Sequence, residues 1–130
     1  MYIMKITLKN KVYELDLDIG FAIALDEKYS LTQSLGGYTE IEFGVGVASI
    51  YPKLIGADLR GLVEFFEAGL KDVKTVSYNR KDIQRSVSDK ALEVGGFQKL
   101  GQLCVEELSK VGLYDHILNP EVPEPNQEVN

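Results

Sequence analysis

The spacing of the apolar residues changes at Asp18, and this change constrains the fold more than any other feature of the sequence. Before Asp18, apolar and polar residues alternate with the period of two that is typical of a half-buried strand. After Asp18, apolar residues recur at intervals of three and four, as they do on one face of a helix. The sequence therefore predicts an α+β fold in which an N-terminal β-hairpin packs on a bundle of about four to five helices.

Residues 4–17 predict a β-hairpin whose two-residue loop is Asn10-Lys11. Asparagine tolerates the positive φ of a type I′ turn. Because side chains alternate along a strand, this register places six apolar side chains on one face. The facing pairs are Leu8 with Tyr13, Ile6 with Leu15, and Met4 with Leu17. A lone hairpin is marginal in water, so we expect this face to pack on helices.

Three polar residues, Asp18, Asp58 and Asn79, are expected to cap the N-termini of helices. The first helix is expected to end near Ser30, with a loop over residues 32–37, and Gly95-Gly96 should separate the last two helices. Each helix has its own apolar stripe. The stripes are Phe21, Ala22, Leu25 and Tyr29; Leu59, Leu62, Val63, Phe66 and Leu70; Ile83, Val87 and Ala91; Phe97, Leu100, Cys104, Leu108 and Val111.

Residues 39–54 carry two conflicting signals. Thr39 and Glu42 have the spacing of a capping box, which predicts a helix over residues 40–54. The apolar residues at 41, 43, 45 and 47 alternate as in a strand, Gly44 and Gly46 disfavour a helix, and Pro52 would kink one. Helix and strand therefore both remain open for residues 41–52.

Length and composition predict one globular domain, residues 1–118, followed by a tail over residues 119–130. The tail is rich in Pro and Glu and has no apolar periodicity, so we expect it to be disordered. The net charge is −6. The N-terminus lacks the apolar region of a signal peptide, and no apolar run is long enough to cross a membrane. We therefore expect a cytoplasmic protein without membrane association.

No residue pattern indicates catalysis. Cys104 lies in the apolar stripe of the last helix and is expected to be buried, and His116 is expected on the surface. One Cys and one His cannot form a structural zinc site. Gly44-Val45-Gly46 lacks the βαβ unit that surrounds a dinucleotide-binding loop. We expect a binding protein with no enzymatic activity, no metal and no cofactor.

The basic segment, residues 71–85, offers an alternative function. Its five basic side chains could serve a small nucleic-acid-binding regulator, but no aromatic platform or reading motif accompanies them. A solvated surface is the simpler interpretation, and the acidic net charge argues against nucleic acid as the main partner. The basic residues are Lys71, Lys74, Arg80, Lys81 and Arg85.

Two stretches give residues 3–112 a resemblance to the tail assembly chaperones of long-tailed bacteriophages and prophages of Gram-positive bacteria. They are Leu25-Asp26-Glu27-Lys28-Tyr29 and residues 62–71, with the sequence LVEFFEAGLK. The glycines and Pro52 in the second helical segment depart from the uninterrupted helix usual in that family. The resemblance implies a non-enzymatic protein that coats the helical tape measure protein before the tail tube polymerises around it. The tail tube protein is a second candidate partner, and we expect the chain to form homo-oligomers.

Four aromatic residues are candidates for contact with a partner helix: Phe65, Tyr51, Tyr78 and Tyr114. Phe66 continues the apolar stripe of its helix and is expected in the core. Phe65 lies about 100° away around the same helix, so we expect it to be exposed. The three tyrosines combine an apolar ring with a polar tip, which suits an interface. The hypothesis is an apolar groove, walled by the helix of Phe65 and by residues 97–111, that receives a tape measure helix.

Overall fold

The computed structural model describes residues 4–35 and 39–119. These residues form two β-hairpins and six helices, which confirms the α+β class. Residues 120–130 of the predicted tail lie outside the described ranges. The elements are β1 (Lys5–Leu8), β2 (Lys11–Glu14), α1 (Ile19–Lys28), β3 (Ser30–Leu35), β4 (Thr39–Gly44), α2 (Gly46–Ile55), α3 (Leu59–Leu70), α4 (Arg80–Val94), α5 (Phe97–Val111) and α6 (Asp115–Leu118).

The N-terminal hairpin has the predicted buried face but a different register. Its loop is Lys9-Asn10, with φ of 51° and 68°, so Ile6 faces Tyr13 and Leu8 faces Lys11. The predicted loop at Asn10-Lys11 is therefore wrong. The facing partners shift by two positions, which preserves the alternation, and five of the six predicted side chains are buried while Leu15 is half-buried. In the observed register the Tyr13 hydroxyl reaches Thr75 Oγ1 at 3.0 Å, which ties β2 to the segment after α3.

Four helices form a closed ring. α2 contacts α3 and α5, and α4 contacts the same two helices, while α1 packs on α2 and α3 and the hairpin lies on α4 through β1. The predicted N-caps are confirmed. The Asp58 carboxylate accepts the Gly61 N–H at 2.8 Å, and Asn79 forms a reciprocal capping box with Asp82. Among the helices of the described ranges, none is long and apolar enough to cross a membrane.

Residues 41–52 form neither a continuous helix nor a continuous strand, the two alternatives that the sequence left open. β3 and β4 pair as a second antiparallel hairpin, from Ser30 facing Gly44 to Leu35 facing Thr39. The expected loop is therefore wrong over residues 32–35, while residues 36 and 37 lie outside the described ranges. The helix expected to begin at Glu40 is also wrong, since the chain stays in a strand until Gly44. The chain becomes helical at Gly46, whose N–H donates to Asp26 Oδ1 at 2.7 Å. A carboxylate from α1 therefore caps α2 in place of the predicted capping box.

Short connections bring four helix termini to one end of the ring, which we call the bundle end. Residues 56–58 join α2 to α3, and Gly95-Gly96 joins α4 to α5 with φ of 107° and 122°. Gly101 of α5 lies directly against the Leu54 carbonyl of α2 and leaves no space for a Cβ atom. The bundle end therefore contains the C-termini of α2 and α4 and the N-termini of α3 and α5.

Candidate functional site

Phe65 lies in the centre of the core, so the prediction that it is exposed is wrong. Its exposed fraction is 0%. Its ring makes T-shaped contacts with Phe21 of α1 and with Phe66, each with a centroid distance of 5.3 Å. α3 is apolar on two sides because α1 covers one side and α4 lies on another. The surface that the sequence suggested for a partner is therefore used inside the fold.

Tyr114 is also a core residue. Its hydroxyl donates to the backbone carbonyl of Leu17 at 2.7 Å and lies 3.1 Å from that of Asp18. Burial, together with the negative charges of Asp18 and Asp16, raises the pKa of Tyr114 to about 12. These contacts hold the segment after α5 against the beginning of α1. Only 5% of the surface of Tyr114 is exposed, so it offers little area to a partner.

Tyr51 and Tyr78 are half-buried, so both keep part of the ring at the surface. Tyr78 lines a groove of about 300 Å³ between α1 and α3, which we call the α1–α3 groove. Tyr51 lies on α2 and is not among the residues that line this groove. The structure thus does not bring the four candidate residues together. Other side chains of the groove are Ala24, Lys28, Glu67, Ala68, Lys71 and Lys74.

Charged side chains surround the aromatic wall of the α1–α3 groove. Lys71 Nζ lies 3.3 Å from Glu27 Oε1, and Lys74 Nζ lies 5.5 Å from the centroid of the Tyr78 ring. Burial and the negative charge of Glu67 raise the pKa of Tyr78, so its hydroxyl stays protonated at neutral pH. The groove therefore offers an apolar ring, a hydroxyl, ammonium groups and the carboxylates of Glu27 and Glu67 within one concave surface.

The basic segment does not form one continuous surface. Lys71 and Lys74 line the α1–α3 groove beside Glu27 and Glu67, whereas Lys81 and Arg85 line a different depression on α4 together with Asp89. Each group of basic side chains has carboxylates beside it. A phosphate backbone binds to clustered, uncompensated Lys and Arg, so this arrangement gives the nucleic-acid alternative no support.

The two residues considered for chemistry occupy the predicted environments. Cys104 is fully buried on α5, and burial and the negative charge of Glu107 raise the pKa of its thiol. A thiol in this setting is a poor nucleophile. His116 is exposed, as predicted, on α6, a short helix that the sequence did not indicate. Among the described residues, no group of three or more His, Cys, Asp and Glu could hold a metal ion.

The stretch Leu25-Asp26-Glu27-Lys28-Tyr29 holds α1 against its neighbours. Leu25 is fully buried, Asp26 caps α2, and Glu27 pairs with Lys71. The Tyr29 hydroxyl donates to Glu64 of α3 and accepts from Lys53 Nζ of α2 at 2.9 Å. Four of the five side chains thus contribute to the junction of α1, α2 and α3, a role that their sequence spacing alone did not reveal.

The ends of two predicted apolar stripes are exposed. Leu59, Phe97 and Val111 were expected to point inward, but they are the first or last residues of their helices and remain exposed. The middle of each stripe is buried as predicted, including Leu62, Leu100 and Leu108. Sequence periodicity finds the inward face of a helix but does not show how far its neighbours extend along it.

Comparison with known proteins identifies the family. A family model described as phage tail assembly chaperone protein, TAC, matches residues 5–120. Comparisons with curated proteins and with solved structures gave no match. The matched range includes both hairpins and every helix of the described ranges. Because the match covers nearly the whole chain, this protein belongs to the phage tail assembly chaperone family.

Proposed function

We propose that this chaperone binds the tape measure protein in the host cytoplasm and keeps it from aggregating until the tail tube assembles around it. The observation that carries the proposal is the family match over residues 5–120. The tape measure protein is long, helical and prone to aggregation in the family that the sequence resembles. The tail tube protein is a second candidate partner in the same assembly step.

The α1–α3 groove is the proposed contact surface for a tape measure helix. Ala24 and Ala68 have small side chains, which allow a helix backbone to approach closely. Tyr78 provides an aromatic wall with a hydroxyl at its tip. Lys28 and Lys74 can pair with carboxylates of the bound helix. The groove therefore fits an amphipathic helix with small apolar residues on one face and acidic residues beside them.

Tyr51 provides a proposed second contact on α2. Its ring packs against the core on one side and is partly exposed on the other, so a partner could bury the rest of the ring. Such partly exposed aromatic side chains contribute strongly when an interface covers them. Phe65 and Tyr114 have no place in this proposal, since both are buried.

A pull-down with groove variants tests the proposal. The tagged chain is expressed together with the tape measure protein, and the captured amount is measured for wild type, Tyr78→Ser and Lys74→Glu. We expect both variants to capture less, because the first removes the aromatic wall and the second reverses a charge. Lys99→Glu is the matched control for the charge reversal, since Lys99 is an exposed lysine on α5 and does not line the groove.

Circular dichroism separates loss of binding from loss of folding. Lys74 is exposed, so Lys74→Glu should fold like wild type even if Tyr78→Ser does not. If folded Lys74→Glu and Tyr78→Ser both capture as much as wild type, the groove is not the contact surface. If wild type captures no tape measure protein, the proposed function itself is wrong.

A further inference from the structure

The two β-hairpins differ in how their outer edges are protected. A strand at the edge of a sheet presents unpaired N–H and C=O groups, and folded proteins usually protect it with charged residues, with proline or with a covering helix. In the N-terminal hairpin, the strands carry Lys5, Lys11 and Glu14, and β1 lies on α4. β3 has the sequence SLTQSL, which contains neither a charged residue nor a proline. The residues of β3 therefore give its edge none of the usual protection.

The neighbouring helix covers β4 rather than β3. α1 packs on β4, where Gly44 lies directly against the Asp26 carboxyl group. β3 packs on β4, and no helix of the described ranges packs on β3 to a similar extent. Ser30, Leu31 and Thr32 are exposed, and Leu31 keeps 62% of its surface in solvent. The outer edge of β3, which we call the β3 edge, is therefore accessible to another chain.

The hydrogen-bond pattern of the second hairpin identifies the backbone groups that point outward from β3. The Val45 N–H donates to the Tyr29 carbonyl at 2.9 Å, in line with the register in which Thr32 faces Glu42. Hydrogen-bonded and non-hydrogen-bonded pairs alternate along an antiparallel ladder, so Thr32 and Ser34 belong to non-hydrogen-bonded pairs. The N–H and C=O groups of these two residues therefore point away from β4, and within the described ranges they have no backbone partner outside the hairpin.

A carboxylate without an ion-pair partner lies beside the β3 edge. Glu42 of β4 is exposed, and its Oε2 accepts a hydrogen bond from the Ser30 hydroxyl at 3.2 Å, so the carboxylate leans across β3. Glu42 forms no ion pair with the described residues. Adjacent strands are about 4.8 Å apart, so a Lys or Arg side chain on a strand added beside β3 can reach this carboxylate.

The opposite face of the β3 edge is apolar. Successive side chains of a strand point to opposite faces, so Leu31 lies on the other face from Ser30 and Thr32. Because Leu31 is exposed, an apolar side chain of an added strand can bury part of it. The best-matched strand thus alternates apolar residues, beside Leu31, with basic residues, beside Glu42.

We propose that the β3 edge binds an extended segment of a partner protein in which apolar and basic residues alternate, and that this segment joins the hairpin as a third strand. Main-chain hydrogen bonds to Thr32 and Ser34 hold the segment, while Leu31 and Glu42 select its side chains. None of these four residues lines the α1–α3 groove. The contact is therefore separate from the one proposed for a tape measure helix.

Hydrogen exchange on the purified full chain tests the proposal directly. The probe is a six-residue peptide of alternating Val and Lys, blocked at both termini and matched in length to β3. Exchange of the backbone amides is followed by NMR with and without excess peptide. We expect the Thr32 and Ser34 amides to exchange at least about tenfold more slowly with the peptide, because their N–H groups become hydrogen-bonded. The Leu31 and Gln33 amides, which already bond to β4, should change little.

Two substitutions separate the backbone contact from the charge contact, with binding of a labelled peptide measured by fluorescence anisotropy. Thr32→Pro removes an outward N–H without breaking a bond to β4, so the Val-Lys peptide should bind about tenfold more weakly. Thr32→Val keeps this N–H and should bind like wild type. Glu42→Lys should weaken binding of the same peptide about tenfold and should favour a matching peptide of Val and Glu. Circular dichroism checks folding, and Glu42→Lys remains informative even if Thr32→Pro unfolds.

Several results would overturn the proposal. If the Thr32 amide is already protected in the free chain, another segment of this chain or a second copy occupies the β3 edge. If the peptide binds without slowing exchange at Thr32, it binds elsewhere. The proposal also fails if the Val-Lys peptide does not bind at about 1 mM, or if Glu42→Lys leaves the preference between the two peptides unchanged. Because tape measure protein is absent, these outcomes are independent of the pull-down result.

Discussion

Replacing Phe65 by alanine is the substitution that tests the core most sharply. The Phe65 ring is fully buried and contacts the rings of Phe21 and Phe66 edge to face. Truncation removes apolar contact on all sides, leaves a cavity and breaks two aromatic pairs. Such changes cost about 3–5 kcal/mol, a large part of the 5–15 kcal/mol that stabilises a typical domain. We therefore expect Phe65→Ala to be barely stable at 37 °C.

Urea denaturation followed by circular dichroism measures this loss. With an m value of about 2 kcal/mol/M, the unfolding midpoint of Phe65→Ala should fall by about 2 M. Phe97→Ala is the matched control, because Phe97 is partly exposed at the bundle end and its removal should cost about 1 kcal/mol. Phe65→Leu keeps most of the volume and should cost less than Phe65→Ala. If Phe65→Ala and Phe97→Ala destabilise the fold equally, Phe65 is not the central core residue described here.

Three further substitutions test how the helices are held together. Asp26→Ala removes the carboxylate that caps α2 at Gly46 and should lower the free energy of unfolding by about 0.5–2 kcal/mol in the same assay. Gly101→Ala places a Cβ against the Leu54 carbonyl, so the melting temperature should fall, with a cost of roughly 1–3 kcal/mol. Tyr114→Phe removes the hydroxyl bonded to the Leu17 carbonyl and should cost about 1 kcal/mol at neutral pH. The pKa of the Tyr114 hydroxyl is about 12 in the folded state, above the usual value of about 10. Between these two pH values the folded state keeps a proton that the unfolded state loses. Stability should therefore fall as the pH rises from about 10 to about 12, and Tyr114→Phe should lack this part of the loss.

The hairpin shows why the sequence predicted a face but not a register. A shift of two positions leaves every side chain on the same side of the strand, so alternation cannot distinguish the two registers. The choice depends on contacts made elsewhere, such as that of the Tyr13 hydroxyl with Thr75. Positive φ at Lys9 is unusual for lysine and gave no sequence signal.

The helix caps at Asp58 and Asn79 were predictable because each cap and the N–H that it accepts lie within three residues in the sequence. The cap of α2 was not predictable from the sequence, because Asp26 lies twenty residues before Gly46, whose N–H it accepts. Without that distant carboxylate, the local spacing of Thr39 and Glu42 favoured a helix where the chain forms β4.

Phe65 illustrates the limit of reading a binding surface from one helix. The apolar character on two sides of α3 was correctly identified, but a helix in the centre of a fold has the same pattern as a helix that awaits a partner. Only the packing of α1 through Phe21 distinguishes the two cases. Most of the exposed large apolar residues of the described ranges lie instead at or near helix termini, where periodicity gives no information about exposure.

The most direct test of the central claim is the solubility of the tape measure protein with and without this chain. The two proteins are expressed together and separately in a bacterial cytoplasm, and the soluble fraction of the tape measure protein is measured after lysis and centrifugation. The proposed function predicts that the tape measure protein is mostly insoluble alone, and that with the chain it becomes soluble and co-purifies with it. A tape measure protein that is equally insoluble in both cases would contradict it.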